Sequence, residues 1–306
     1  MVKDEIKNNK SNFAILIIAL IVLIILAYII NIQNNNTNYH SNYYDNIGIN
    51  IDLLNIIYFN VGQADSTLIT INDYTMLIDT GNKSDGYYIA DFLKAQNINK
   101  IDFLILTHLD EDHVGGTYKI IEELNIGIIY MPNMESNKDF YKELIDTANK
   151  YNVTIDKNLN SSDDIKYNLG QATWKVLNIN SDNINNTNDS SIVIELYYNN
   201  TKYLFMGDAT TAVEGSRDWD NVDVLKVGHH GSDSSTSQSF VEQTNPKIAI
   251  ISTNSKYGHP SIEVLERLKS KGAKIYRTDK NNTTWITSNG SEIKINELDY
   301  NLDGTR

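Results

Sequence analysis

Residues 107–116 read Thr107-His-Leu-Asp-Glu-Asp-His-Val-Gly-Gly116, directly after the apolar run Ile101-Asp-Phe-Leu-Ile-Leu106. Four side chains able to ligate a metal (His108, Asp110, Asp112, His113) fall within six positions. A buried strand ending in two imidazoles and two carboxylates is costly to fold unless those groups face a cavity holding a cation. Alternate spacing followed by an adjacent pair is not one face of a helix. It predicts a loop wrapped around a metal, against the plainer alternative of a hydrated acidic turn.

Working outward, further chemistry-bearing residues recur at the carboxyl ends of apolar runs. Leu77-Ile78 leads into Asp79-Thr80-Gly81, and Tyr203-Leu-Phe-Met206 into Gly207-Asp208-Ala209. Leu225-Lys-Val227 leads into Gly228-His229-His230-Gly231, and Ile248 to Ile251 into Ser252-Thr-Asn254 and Tyr257-Gly-His259-Pro260. Strand ends on one rim can converge on a site, as a multidentate centre requires. Five of the six histidines lie in these segments, leaving only His40 outside.

Between the motifs, β-type runs are expected at Leu53–Phe59, Ser66–Thr70, Thr75–Ile78, Ile101–Thr107 and Ile128–Met131. Later ones are Ala172–Leu177, Ser191–Tyr198, Lys202–Met206, Val222–Val227, Lys247–Ser252, Lys274–Tyr276, Thr283–Thr287 and Glu292–Ile295. Helices are expected at Tyr87–Ala95, Val114–Leu124, Lys138–Tyr151 and Ser261–Lys271. Clustered strands interrupted by helices predict an α/β (α+β) chain with two sheets packed face to face and helices outside.

The ordered motifs resemble those of the metallo-β-lactamase-fold hydrolases, and in particular the extracellular hydrolase domain attached to ComEC-type DNA-uptake channels. The resemblance rests on Phe59-Asn-Val-Gly-Gln-Ala-Asp65-Ser, Leu77-Ile-Asp-Thr-Gly81, residues 107–116, Leu204-Phe-Met-Gly-Asp-Ala209, Leu225-Lys-Val-Gly-His-His-Gly-Ser232 and Tyr257-Gly-His-Pro-Ser261. It covers about residues 53 to 296 and implies a four-layer αββα sandwich with two divalent ions.

Carried over, one ion is held by Asp112, His113, Asp208 and His229, and the other by His108, Asp110 and Asp208, with Asp208 bridging. Two departures matter. The commoner loop has a histidine where Asp110 stands, and the histidine usual between the loop and the bridging aspartate has no counterpart. Asp189, in Asn188-Asp189-Ser190, is the replacement the resemblance offers; an exposed polar turn is the other reading. Oxygen-rich ligation weakens the preference for zinc, so both Zn²⁺ and Mn²⁺ stay open. Asp65 and Asp79 are read as orienting the ligands or as strand-end caps.

Phe13 to Ile30 is an unbroken run of eighteen apolar residues. That suits a transmembrane anchor over 13–32, with Lys3, Lys7 and Lys10 before it and no Lys or Arg after it until Lys83. The expected organisation is a cytoplasmic N-terminus (1–12), the anchor (13–32), an Asn/Ser/Tyr-rich linker (33–50) and an extracellular hydrolase domain (51–306). A cleaved signal peptide is the competing reading, and it would leave a secreted domain. With no cysteine, disulfides and thiolate ligands are excluded.

The resemblance implies a phosphodiesterase or nuclease acting on DNA beside DNA-uptake machinery, and a monomer is expected. Asp112, Asp208, His230 and His259 take the catalytic roles, and Lys226, Asn254, Tyr257 and His259 contact the phosphate-bearing substrate. The net charge of −13 counts against broad electrostatic attraction to nucleic acid. Two alternatives therefore stand beside it: a cell-surface esterase releasing phosphorylcholine-type groups, and a non-catalytic binding module on a metal-stabilised fold.

Overall fold

The structure is a computed structural model that describes residues 21–27, 46–179 and 186–298. The chain divides into two units, residues 1–45 and 46–306. In the first unit, residues 21–27 are helical and Ile21 to Leu26 are exposed. Among the described residues no helix is long and apolar enough to cross a membrane. Apart from 21–27, the expected anchor and most of the expected linker lie outside the described residues.

The second unit contains two sheets. Its strands are β1 (Leu54–Tyr58), β2 (Thr67–Ile71), β3 (Tyr74–Ile78), β4 (Lys100–Ile105), β5 (Asn125–Tyr130), β6 (Ile155–Asp156), β7 (Tyr167–Leu169) and β8 (Ala172–Asn178). They continue with β9 (Val193–Tyr198), β10 (Thr201–Phe205), β11 (Val224–Lys226), β12 (Ile248–Ile251), β13 (Lys274–Arg277), β14 (Thr283–Ser288) and β15 (Ile293–Leu298). One sheet runs β15-β14-β1-β2-β3-β4-β5-β6 and the other β13-β12-β11-β10-β9-β8-β7. β3 to β6 are parallel, as are β10 to β13. Parallel neighbours send their carboxyl ends to one rim, which is where the motif residues follow.

Period-two alternation sorts the side chains into layers. On β10, Tyr203 and Phe205 point into the core between the sheets, whereas Leu204 packs on the outer face. On β12, Ile250 faces inward and Ala249 and Ile251 outward. The inter-sheet core joins Ile56, Tyr58, Ile69, Met76 and Ile105 of one sheet to Trp174, Val176, Ile194 and Leu196 of the other. Full burial of one such side chain stabilises by about 1.5–3 kcal/mol. Phe240, Val241, Val264 and Leu268, from the helices Gln238–Thr244 and Ile262–Ser270, cover the outer face of the seven-stranded sheet. The helix Asp85–Ala95 buries Ile89, Phe92 and Leu93, and Phe92 meets Phe59 edge to face at 5.1 Å.

The expected strands are present with ends moved by a few residues. The sequence reading missed the two-residue β6 and three-residue β7, and also the helices Thr211–Glu214, Gln238–Thr244 and Thr278–Asn281. These are one to two turns or less, too short for periodicity to register. The single helix expected at Val114–Leu124 is two, Glu111–Val114 and Thr117–Glu123, separated by Gly115-Gly116. A Cβ at Gly116 would run into the Thr80 carbonyl oxygen and Gly86, and one at Gly115 would lie 2.7 Å from the Lys83 nitrogen. Glycine at both positions lets the 107–116 loop press backbone to backbone against residues 80–86.

Candidate metal centre

β3 is followed by Asp79, whose left-handed backbone (φ +59°) turns the carboxylate back over the end of β4. There it accepts hydrogen bonds from Thr107 N (2.8 Å) and Thr107 Oγ1 (2.8 Å). It also accepts from His113 Nδ1 at 2.7 Å. With its proton given to Asp79, Thr107 Oγ1 accepts from His108 Nδ1 at 3.1 Å. His230 Nδ1 donates to the Ser252 carbonyl at 3.0 Å. All three rings thus commit their Nδ1 protons to fixed partners, which directs the Nε2 atoms elsewhere.

Those Nε2 atoms converge. One ligand atom each from Asp65, His113, Asp208 and His230 lies within 4.8 Å of the others, and all four residues are buried. His113 Nε2 is 3.3 Å from Asp208 Oδ1, while His230 Nε2 is 3.4 Å from Asp112 Oδ2 and 3.6 Å from Asp208 Oδ2. His108 Nε2 stands 3.7 Å from Asp110 Oδ2 and 3.9 Å from Asp208 Oδ2. Among the described residues, Nε2 of His108, His113 and His230, together with Oδ1 of Asp65 and Asp208, have no hydrogen-bond partner. Buried polar atoms without partners are costly, and the four residues whose ligand atoms converge could hold a cation, with His108 beside Asp208.

The electrostatics agree. Burial opposes charge on His113, but Asp208 and Asp79 outweigh it and lift the imidazole well above its ordinary range. Burial alone would raise Asp208; His113 and His230 hold it well below the usual carboxylate value. Burial likewise opposes ionisation of Asp112, yet His230 and His113 bring it to about 2. Burial and the neighbouring His113 keep His108 low, hence neutral. Protons gather where a metal ion would stand.

The adjacent histidines 229 and 230 separate. Both have left-handed backbones (φ +47° and +52°), a costly conformation outside glycine, and their rings diverge. His230, not His229, faces Asp112. His229 is part-exposed, with Nδ1 3.0 Å from Ser234 Oγ and Nε2 3.8 Å from Asp208 Oδ2 and 3.4 Å from Asn188 Nδ2. Sequence spacing does not decide between neighbours in a turn.

Other expected site residues take different places. Asp189 is not among the four converging residues: its Oδ1 accepts from Thr210 Oγ1 (2.6 Å) and its Oδ2 from Asn186 Nδ2 (2.9 Å). Lys226 is buried rather than set on the rim, with Nζ donating to Asp65 Oδ2 at 2.9 Å and to the Val227 carbonyl at 3.1 Å. Being inside β11, it joins the core side of the site. Asp110 is part-exposed, accepting from Thr187 Oγ1 at 3.1 Å and facing Lys138 Nζ at 3.6 Å. Asn254 and Tyr257 are exposed, and the His259 ring lies 5.6 Å from that of His229.

Thr107, Lys138 and Gln63 were not singled out from sequence. Gln63 Oε1 lies 3.2 Å from Thr253 Oγ1, bringing the 60–65 segment against the 252–260 loop. For Thr107, position beside the motif was the available signal; Lys138 and Gln63 are brought in by tertiary structure.

Residues 59–138 and 185–255 match the profile described as "Metallo-beta-lactamase superfamily". The chain is 29% identical over 250 residues to "ComE operon protein 3" of Bacillus subtilis, covering 73% of this chain and 32% of that protein. It is also 29% identical over 218 residues to "Recombination protein 2" of Haemophilus influenzae, covering 68% of this chain and 26% of that protein. The matches thus span about a third or less of these curated relatives. In fold it is similar to CmlA, a diiron beta-hydroxylase from Streptomyces venezuelae (TM-score 0.51, 13% identity, 80% of this chain and 54% of that one).

Proposed function

This chain carries a metallo-β-lactamase superfamily domain related to ComEC-type competence proteins, and from that premise we propose that it is a metal-dependent phosphodiesterase acting on DNA. The carrying observation is the set of five partnerless buried atoms on Asp65, His108, His113, Asp208 and His230, with the rings fixed from behind. Asp112, His113, Asp208 and His230 would hold one ion, with Asp65 beside them. His108, Asp110 and Asp208, with His229 alongside, would hold a second. Bound there, Zn²⁺ or Mn²⁺ supplies Lewis acidity toward a phosphoryl oxygen and a nucleophile near neutral pH.

The chain's own residues do the rest. Asp79 and Thr107 fix two imidazoles, Lys226 holds Asp65, and Asp208 spans both positions. His259, near His229 at the rim, binds a phosphate oxygen or protonates the leaving oxygen. The apolar run Phe13 to Ile30 supports a single-pass anchor that leaves the domain outside the cell. The net charge of −13 supports a second reading, an envelope phosphoester esterase.

Elemental analysis of the purified full chain, with assays on bis-(p-nitrophenyl) phosphate and single-stranded DNA in Mn²⁺ or Zn²⁺, tests this. Two ions per chain with DNA cleavage is the expected result. Cleavage of the small ester alone favours the esterase. A folded chain without metal or turnover overturns both.

A further inference from the structure

Tyr257 is 72% exposed, the highest value among the large apolar side chains of the described residues. Its backbone is left-handed (φ +59°), as is that of Ser255 (φ +65°). Side-chain-bearing residues keep that conformation only where the surroundings over-determine it. They do so here. Ser255 N donates to Thr253 Oγ1 (3.0 Å), and Ser255 Oγ donates to Asp279 Oδ2 (2.6 Å) while accepting from Arg277 Nη2 (2.9 Å). Lys256 N donates to Asn254 Oδ1 at 3.0 Å, and Thr253 Oγ1 donates to the His259 carbonyl at 3.0 Å. A firmly tied loop thus holds an aromatic ring out into solvent, where it adds little to packing.

The ring also has a direction. Lys256 Nζ lies 4.7 Å from its centroid, the His259 ring 6.4 Å away on the inner side, and His229 a further 5.6 Å from His259. Cation, aromatic ring and imidazole therefore lead from the rim toward Asp208. Phosphate meets the cation, and a planar group meets the ring.

We propose that Tyr257 is a stacking platform for the base of a nucleotide held at the metal centre, which makes the substrate class single-stranded nucleic acid. In a duplex the base faces are already stacked on one another, so a lone exposed ring selects unpaired bases. This inference rests on the phosphodiesterase reading above.

The test compares a labelled oligothymidylate with an abasic oligomer of equal length and charge. Their binding to the full chain is read by fluorescence anisotropy without added metal, and their cleavage is followed separately in Mn²⁺. Wild type and Tyr257→Phe should bind the base-bearing oligomer about tenfold more tightly, toward the lower end of what one base–aromatic stack contributes. In Tyr257→Ala that ratio should fall toward one. Equal binding of the two oligomers by wild type, a preference that persists in Tyr257→Ala, or binding of neither oligomer overturns the inference. A Tyr257-dependent preference without cleavage in Mn²⁺ leaves the platform standing and removes the hydrolase reading. Cleavage without the preference does the reverse.

Discussion

Two clusters of buried charge sit in this domain, and they are finished to different degrees. Around Glu195 on β9, Lys175 Nζ approaches Oε1 at 3.0 Å and Lys202 Nζ approaches Oε2 at 3.5 Å, while Tyr197 donates its hydroxyl. Asp163 and Asp220 give the two lysines a second carboxylate partner each, at 3.1 Å. Around Asp208, by contrast, three imidazole nitrogens and two carboxylate oxygens have no partner among the described residues. Burial alone does not mark a site; burial with donors or acceptors left over does. The Glu195 cluster satisfies itself, and the Asp208 cluster has the ligand atoms a cation would need.

Substitution at the two centres should break that contrast most sharply. Asp208→Ala, and likewise Asp110→Ala, should lower kcat on bis-(p-nitrophenyl) phosphate by about a thousandfold or more, since several kcal/mol of transition-state stabilisation depend on the ions. Circular dichroism should show both variants folded. Near wild-type turnover in either would remove the metal reading.

Glu195→Gln should act on the other axis. Removing the carboxylate charge weakens two charge-assisted contacts to lysines that keep Asp163 and Asp220 as partners, at a cost of about 1.5–3 kcal/mol. Urea unfolding would show the loss, with kcat at low temperature unchanged. A neutral outcome would mean that the Glu195 cluster is no structural network.

Metal titration sharpens the comparison from the other side. Mn²⁺ or Zn²⁺ at about a hundred times its Kd should stabilise wild type by about 2.7 kcal/mol. Glu195→Gln should gain the same increment and Asp208→Ala little, as read by thermal melts. An equal shift in all three would show that the ion binds elsewhere.

The smallest effect concerns acid. Burial would raise the Asp279 carboxyl, but hydrogen bonds from Arg277 and Ser255 hold it below the ordinary aspartate value. Because the folded value is depressed, this contribution is present above the unfolded value and lost as pH falls through the folded one. The Asp279 side chain is 10% exposed, but its Arg277 partner is part-exposed at the domain surface, so only about 1 kcal/mol is at stake. Comparing acid unfolding of wild type and Asp279→Asn should show the difference shrinking below pH of about 4.

Much of the fold was legible because its signals are local. The continuous apolar run Tyr203-Leu-Phe-Met206 predicts a strand packed on both faces, which β10 is. The 107–116 loop could be recognised because its ligand types are dense within one turn of chain. What sequence could not resolve was direction. His229 and His230 are indistinguishable by spacing, and a pair of left-handed backbones sends only His230 toward Asp112. Lys226 looked available to substrate, but its contact lies 161 residues away at Asp65. Asp189 sits where a ligand was wanted, yet Thr210 and Asn186 take its oxygens.

The converging residues come from both sheets. Asp65, Asp79 and the 107–116 loop follow strands of one, whereas Asp208 and His230 follow β10 and β11 of the other. Ile192 N donates to the Thr107 carbonyl at 2.8 Å across the same boundary. Neither sheet alone presents the full set, so a metal would find all its ligands only after the two halves of the chain have closed on each other. An ion bound there would act as a rivet between the two sheets, since its ligands come from both.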